Sequence, residues 1–223
     1  MPRSISYGVL RPWRQVSDTI TYNQGLMIDA LAQSIINRRL EARARGGGSF
    51  LLAQVNQEDV SRSVDGTFVS ITPLESDWRG ALHDVRAVIA DAIATPPTQE
   101  EIDREVSEFQ VAFQVPVEQK ELRPGSQLVD ELVKAVDIRE TVAAPDDVLE
   151  IFRSSIPLFT PEAVLAHTRT LFDGAVTRAF YVTPTAGESD AAALRLAMAE
   201  AVTPDGSSRL AATPLRFDDM PPL

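Results

Sequence analysis

Four arginines, Arg38, Arg39, Arg43 and Arg45, crowd into the stretch NRRLEARARGGGSF, and Gly46, Gly47 and Gly48 then break it. A guanidinium is always charged and presents a planar fork of donors, so such a cluster suits a carboxylate, a carbonyl or a phosphate. The polarity excludes a phosphate cradle. A cradle feeds into a helix, whose free N–H groups point at the anion; these glycines follow a segment that reads as helix, and their loop has no lysine. Two readings stay open. Arginines in a last helical turn complement the negative end of the helix dipole by about 0.3–1 kcal/mol, which accounts for Arg43 and Arg45. Alternatively, one guanidinium projects beside the glycine loop to bind a carbonyl or carboxylate.

Other chemistry finds less support. The two histidines, His83 and His167, fall on separate helical segments, and neither has a second ligand one turn away, which a helix-borne zinc site needs. The absence of cysteine excludes disulfides, thiolate metal sites and thiol catalysis. Ser49 lies in Gly48-Ser49-Phe50, which is not a nucleophile elbow. In EEIDREVSEF, Glu101, Glu105 and Glu108 sit opposite the apolar stripe Ile102, Val106 and Phe109 and read as a solvated helix face. Glu100 and Arg104 are spaced to pair across one turn. The residues themselves therefore name no catalytic group and no metal ligand.

The elements that hold these residues follow from periodicity. Residues 13–22 are expected as a strand, with Val16 and Ile20 on one face. A long helix over about 23–44 follows from Leu31, Ile35 and Ile36, ended by the glycines. Strands are expected over 50–56 and 66–74, joined as a hairpin. Asp77 opens a helix with Leu82, Val85, Ile89 and Ala92 inward, and Pro96-Pro97 stop it. Thr98 and Glu101 form a capping box for a helix burying Ile102, Val106, Phe109 and Phe113. Ser126 caps a helix expected to bury Leu128, Leu132 and Val136. A short helix over 146–154 and one opened by Thr160-Pro161 follow, the latter carrying Val164, Leu165, Thr168 and Phe172. A strand over 176–183 and an alanine-rich helix over 189–202 complete a domain spanning 1–202. Residues 203–223 read as a proline-rich linker. This order predicts an α+β fold, a two-layer arrangement with a largely antiparallel sheet covered by helices on one face.

Composition sets the outer limits. The chain has 223 residues, 44% of them apolar, and a net charge of −11, so it has enough apolar matter for a core and repels nucleic acid and anionic lipid. No apolar run approaches the roughly 20 residues of a spanning helix, so membrane insertion is not expected. The start, MPRSISYGVLRPWRQ, lacks the apolar core of a signal peptide and reads as mid-domain sequence, as if excised from a longer protein.

The order of these segments resembles the pitrilysin/insulinase family of zinc metallopeptidases, the inverted zincins. The resemblance is carried by NRRLEARAR, the glycine turn, FLLAQV, GTFVSITP, ALHDVRAVIADAI, TPPTQEEIDREVSEF and LFTPEAVLAHTRTLFDGAVTRAFYVTP, over residues 20–184. It implies a domain like those of mitochondrial processing peptidase, from a bacterial zinc protease built of homologous domains. The family's active domain carries His-x-x-Glu-His, which this chain lacks. The resemblance thus implies a non-catalytic domain, with zinc in the parent's catalytic domain and none here. It also implies a catalytic domain of the same chain or of a partner subunit, and a peptide substrate. In such silent domains an Arg and a Tyr seven residues apart hold the substrate; they fall on Arg43 and Phe50, where the hydroxyl is missing. Bacterial relatives of this type are often exported, which implies the periplasm; composition leaves the cytoplasm open.

Overall fold

Alternation of Ile5, Tyr7 and Val9 with Ser6, Gly8 and Leu10 builds the first strand, β1 (Ser4–Pro12). The computed structural model describes residues 3–122, 124–138, 142–187 and 189–210, without the side chains of 127, 131 and 134–138. After β1 come α1 (Ile20–Arg45), β2 (Phe50–Val60), β3 (Val64–Pro73), α2 (Trp78–Ala94), α3 (Gln99–Glu118), α4 (Gly125–Ile138), α5 (Pro145–Ser155), α6 (Pro161–Phe172), β4 (Val176–Val182) and α7 (Ala191–Ala199). The sheet order is β2-β3-β1-β4, and every neighbouring pair is antiparallel.

Register decides which face is buried. Ala53, Ile71, Ile5 and Tyr181 form one row, and Val55, Val69, Tyr7 and Ala179 the next. These rows pack against α1, α2 and α7 in one core, with Leu40, Leu82, Val85, Val88 and Leu194. The other face carries the row Gln54, Ser70, Ser6 and Phe180, of which only Ser6 is not fully exposed. A second core lies among α1, α3, α5 and α6, around Leu31, Ile35, Ile102, Phe152 and Val164. Helix α1 is common to both, and its buried residues Ile28, Leu31, Ala32, Ile35, Ile36 and Leu40 form one broad face that serves the two cores.

The expected strand over 13–22 is not formed. Val16 is exposed and Ile20 opens α1, capped by the Thr19 hydroxyl, which accepts from the Tyr22 N–H at 3.2 Å. The strand lies earlier, where apolar residues recur every second position; Val16 and Ile20, four apart, fit a helical period better. The helix α4 is present, but Leu128 and Leu132 are exposed rather than buried, and Ser126 lies inside the helix rather than capping it. The Val136 side chain lies outside the described residues. The capping box of Thr98 and Glu101 is formed on both sides. Residues 203–210 run beside α2, where the Asp205 N–H donates to the Ala87 carbonyl at 3.0 Å; residues 211–223 lie outside the described part.

Two turns set the entry angles of β2 and β3. At the end of α1, the Gly48 N–H donates to the Arg43 carbonyl at 3.0 Å and the Gly47 N–H to that of Ala44 at 3.3 Å. Gly47 has φ +91°, so this is a Schellman ending that needs glycine. In the β2–β3 turn, Ser61 and Arg62 have φ of 53° and 55°, the paired left-handed conformation that matches the twist of a hairpin. Arg62→Gly is therefore expected to stabilise the fold by about 1 kcal/mol and Gly47→Ala to destabilise it by a similar amount. Urea unfolding of the two variants checks both signs.

Candidate functional site

The arginines of α1 point in three directions because successive residues turn by 100°. Arg39 is the innermost, 2% exposed. Its Nε and Nη2 donate to the two oxygens of Glu101, each at 2.8 Å, and its Nη1 lies 3.3 Å from Asp91 Oδ2. The same Asp91 oxygen accepts from Arg209 Nε at 2.7 Å, and Arg209 Nη1 reaches the Pro96 carbonyl at 3.3 Å. One buried cluster thus ties α1 to α2, α3 and the 203–210 segment. A buried guanidinium is tolerated only with such pairing.

Arg38 faces α3 one step round. Its Nε donates to Glu105 at 2.9 Å and its Nη2 to Glu108 at 2.6 Å, while the Ser34 hydroxyl donates to the other Glu105 oxygen. The solvated carboxylate face expected on α3 is corrected here. Glu105 is 1% exposed and Glu101 is buried as well; only Glu108 stays at the surface. Each buried glutamate stands one residue from the Ile102/Val106 stripe, on the flank of the inward face, where the arginines of α1 meet it. The Glu100–Arg104 pair does not form among the described residues. Arg104 instead helps to line a cavity of about 240 Å³ with Arg38, Arg39, Ser208 and Arg209.

Arg43, a full turn beyond Arg39, sits beside the glycine turn with about a quarter of its side chain exposed. Its Nη2 donates to Asp84 Oδ2 at 3.1 Å, and its Nε lies 3.4 Å from Asp205 Oδ2. The Asp84 oxygen also accepts from the Ser49 N–H at 3.0 Å and the Ser49 hydroxyl at 3.1 Å, so one carboxylate of α2 fastens the turn. Phe50 is 1% exposed, in the core beneath the sheet. A Cβ on Gly48 would stand 3.2 Å from the Phe50 ring, so the glycine lets the turn close over it. The turn thus joins Arg43 and Phe50, but only Arg43 reaches the surface. Arg45 is outermost, 3.6 Å from Glu41.

The histidines stay apart. His83 is exposed on α2; His167 on α6 pairs with Asp29 of α1 at 2.7 Å. Burial raises the pKa of Asp29 despite its bond to His167 and the nearby charges of His167 and Arg11. Among the described residues no group of three or more His, Asp or Glu side chains is arranged to hold a metal ion, and no helix is long and apolar enough to cross a membrane. Sequence reasoning missed Asp84, Asp91, Asp205 and Arg209; a charged residue at a buried helical position, such as Asp91 next to Ala92, was the only signal.

No protein-family model matches the sequence, and no curated protein is similar to it. Solved structures share its fold. The periplasmic protease PqqL from Escherichia coli superposes with a TM-score of 0.77 at 14% identity, over 88% of this chain and 22% of that one. Against a structure of the first half of PqqL, the same 88% spans 43% of that chain. The peptidase M16 inactive domain from Pseudomonas fluorescens gives a TM-score of 0.58 at 16% identity, over 84% of this chain and 42% of that one. An inactive peptidase domain described as belonging to a zinc protease of Bordetella parapertussis gives 0.57 at 15%, over 83% of this chain and 94% of that one. The chain therefore has the fold of insulinase-type (M16) zinc protease domains, including inactive ones, and spans less than half of the larger chains.

The buried cluster has a pH signature. Burial alone would raise the pKa of Glu101, but hydrogen bonds from Arg39 and Thr98 and the Arg39 charge outweigh it and leave the pKa lowered. A lowered carboxylate pKa adds stability above the unfolded value, near about 4.3, and loses it as pH falls through the folded one. The unfolding temperature is expected to drop steeply below about pH 4, and less steeply in Glu101→Gln. At neutral pH, Glu101→Ala leaves Arg39 short of a partner and is expected to cost about 3–5 kcal/mol, measured by denaturant unfolding.

Proposed function

We propose that this chain is a non-catalytic domain of a zinc-dependent metalloendopeptidase, one wall of a chamber that encloses a peptide. It works beside a catalytic domain of the same polypeptide or of a partner subunit. The observation that carries this reading is a fold shared with inactive peptidase domains, on a sequence whose two histidines cannot form His-x-x-Glu-His. Zinc and water activation then belong to the catalytic domain, and this chain supplies binding and enclosure. Arg43 is the residue we assign to peptide contact. Its side chain is partly exposed, and displacing its looser partner, Asp205 at 3.4 Å from Nε, would open that donor to a peptide carbonyl. Phe50 supports the turn from behind, as a packing residue in the place of a hydroxyl. The periplasmic protease of the same fold supports an exported setting.

One observation favours a second reading, a structural or assembly module of a proteolytically inactive protein. Arg43 already faces two carboxylates and Phe50 is sealed in the core, which suits a scaffold. The two readings separate in the protein that includes the flanking sequence. Peptidase activity there that falls about tenfold or more (at least 1.4 kcal/mol) with Arg43→Ala supports the chamber reading; an inert protein supports the module. For this chain alone the expectation is no peptide hydrolysis and no bound zinc. Stoichiometric zinc by elemental analysis with chelator-sensitive cleavage would refute both.

A further inference from the structure

Helices α3 and α5 pack directly on one another, with the Phe113 and Phe152 ring centroids 4.9 Å apart. Between them the chain makes an excursion whose main element is α4. It is pinned at its base, where Lys120 pairs with Asp146 at 2.9 Å. Every described side chain of α4 is exposed, yet the sequence GSQLVDELVKAVDI is amphipathic. Leu128, Val129, Leu132 and Val133 recur at i, i+1, i+4 and i+5, which places them on one helical face. Val129 is 57% and Val133 63% exposed. Leu122, in the turn leading into α4, is exposed too. A row of large apolar side chains on an otherwise acidic surface marks a contact site rather than ordinary exposure.

We propose that α4 is the element by which this domain docks on a companion domain of its own polypeptide. This rests on the proposed function in one respect, that a companion exists. The occupant follows from lengths. In the PqqL half-molecule and the Pseudomonas fluorescens chain, the fold fills 43% and 42% of the polypeptide, beside a comparable length of further chain. In the Bordetella parapertussis structure it fills 94%, so that chain is little more than the fold itself. An apolar surface whose described side chains lie outside both cores fits a seat for that neighbour. The acidic balance of this chain disfavours an anionic lipid surface as the occupant.

The test compares this chain with the longer polypeptide that carries its flanking sequence. Amide hydrogen exchange over 125–138 is expected to be at least about tenfold slower in the longer protein. Val129→Glu with Val133→Lys keeps net charge and adds a favourable i, i+4 pair. In this chain alone it is expected to leave the unfolding temperature within about 2 °C of the parent, and in the longer protein to abolish the protection. Equal exchange in the two proteins overturns the proposal, as does protection that survives the double substitution. Peptidase activity is assayed on the same samples: its absence with α4 protected counts against the chamber reading and leaves the docking assignment standing.

Discussion

A guanidinium sealed inside a protein has to be neutralised where it lies, and Arg39 imposes that condition on everything around it. Glu101 meets it with two bonds, Asp91 with a third contact, and Asp91 in turn draws in Arg209. Three other stretches of chain, α2, α3 and residues 203–210, converge on one point of α1. Because α1 also separates the sheet core from the helical core, fixing its rotation fixes the relation of the two layers. Such a cluster adds little net stability compared with an apolar core of equal volume, since desolvation opposes the attraction. Its effect is on specificity: a helix rotated so that Leu40 replaced Arg39 would leave Glu101 and Asp91 without the Arg39 guanidinium.

The same geometry sorts the arginines by role. Arg38 and Arg39 spend their donors on carboxylates of neighbouring elements, Arg45 stands in solvent with only Glu41 nearby, and Arg43 lies between these extremes, partly exposed beside the glycine turn. It sits at the turn where β2 enters the sheet, held by Asp84. The turn is thereby fastened to a helix, which fixes where Arg43 stands.

Much of this was legible in the sequence. The glycine run announced the end of α1, Thr98 and Glu101 announced α3, and Pro161 announced α6, because each depends on local backbone chemistry alone. The antiparallel α+β fold followed from their order. What failed depended on tertiary partners. Glu101 and Glu105 look like solvent-facing acids unless one knows that α1 brings arginines against them. Leu128 and Leu132 look like core unless one knows that α4 leaves it. The first strand depends on partners too: Ile5, Tyr7 and Val9 are held between β3 and β4, which come about 60 and 170 positions later. That Arg43 closes α1 beside a glycine turn is legible in the sequence; the two carboxylates that meet it, Asp84 and Asp205, are not, since they are 41 and 162 positions away.

The central claim is that the arginine cluster of α1 is first an internal clamp. A double-mutant cycle with Arg39→Met and Glu101→Leu tests it most directly, with unfolding free energies measured at neutral pH. The account expects each single substitution to cost several kcal/mol, as a stranded buried charge does, and the pair to recover about 2–3 kcal/mol of coupling. A coupling within about 0.5 kcal/mol of zero would contradict it.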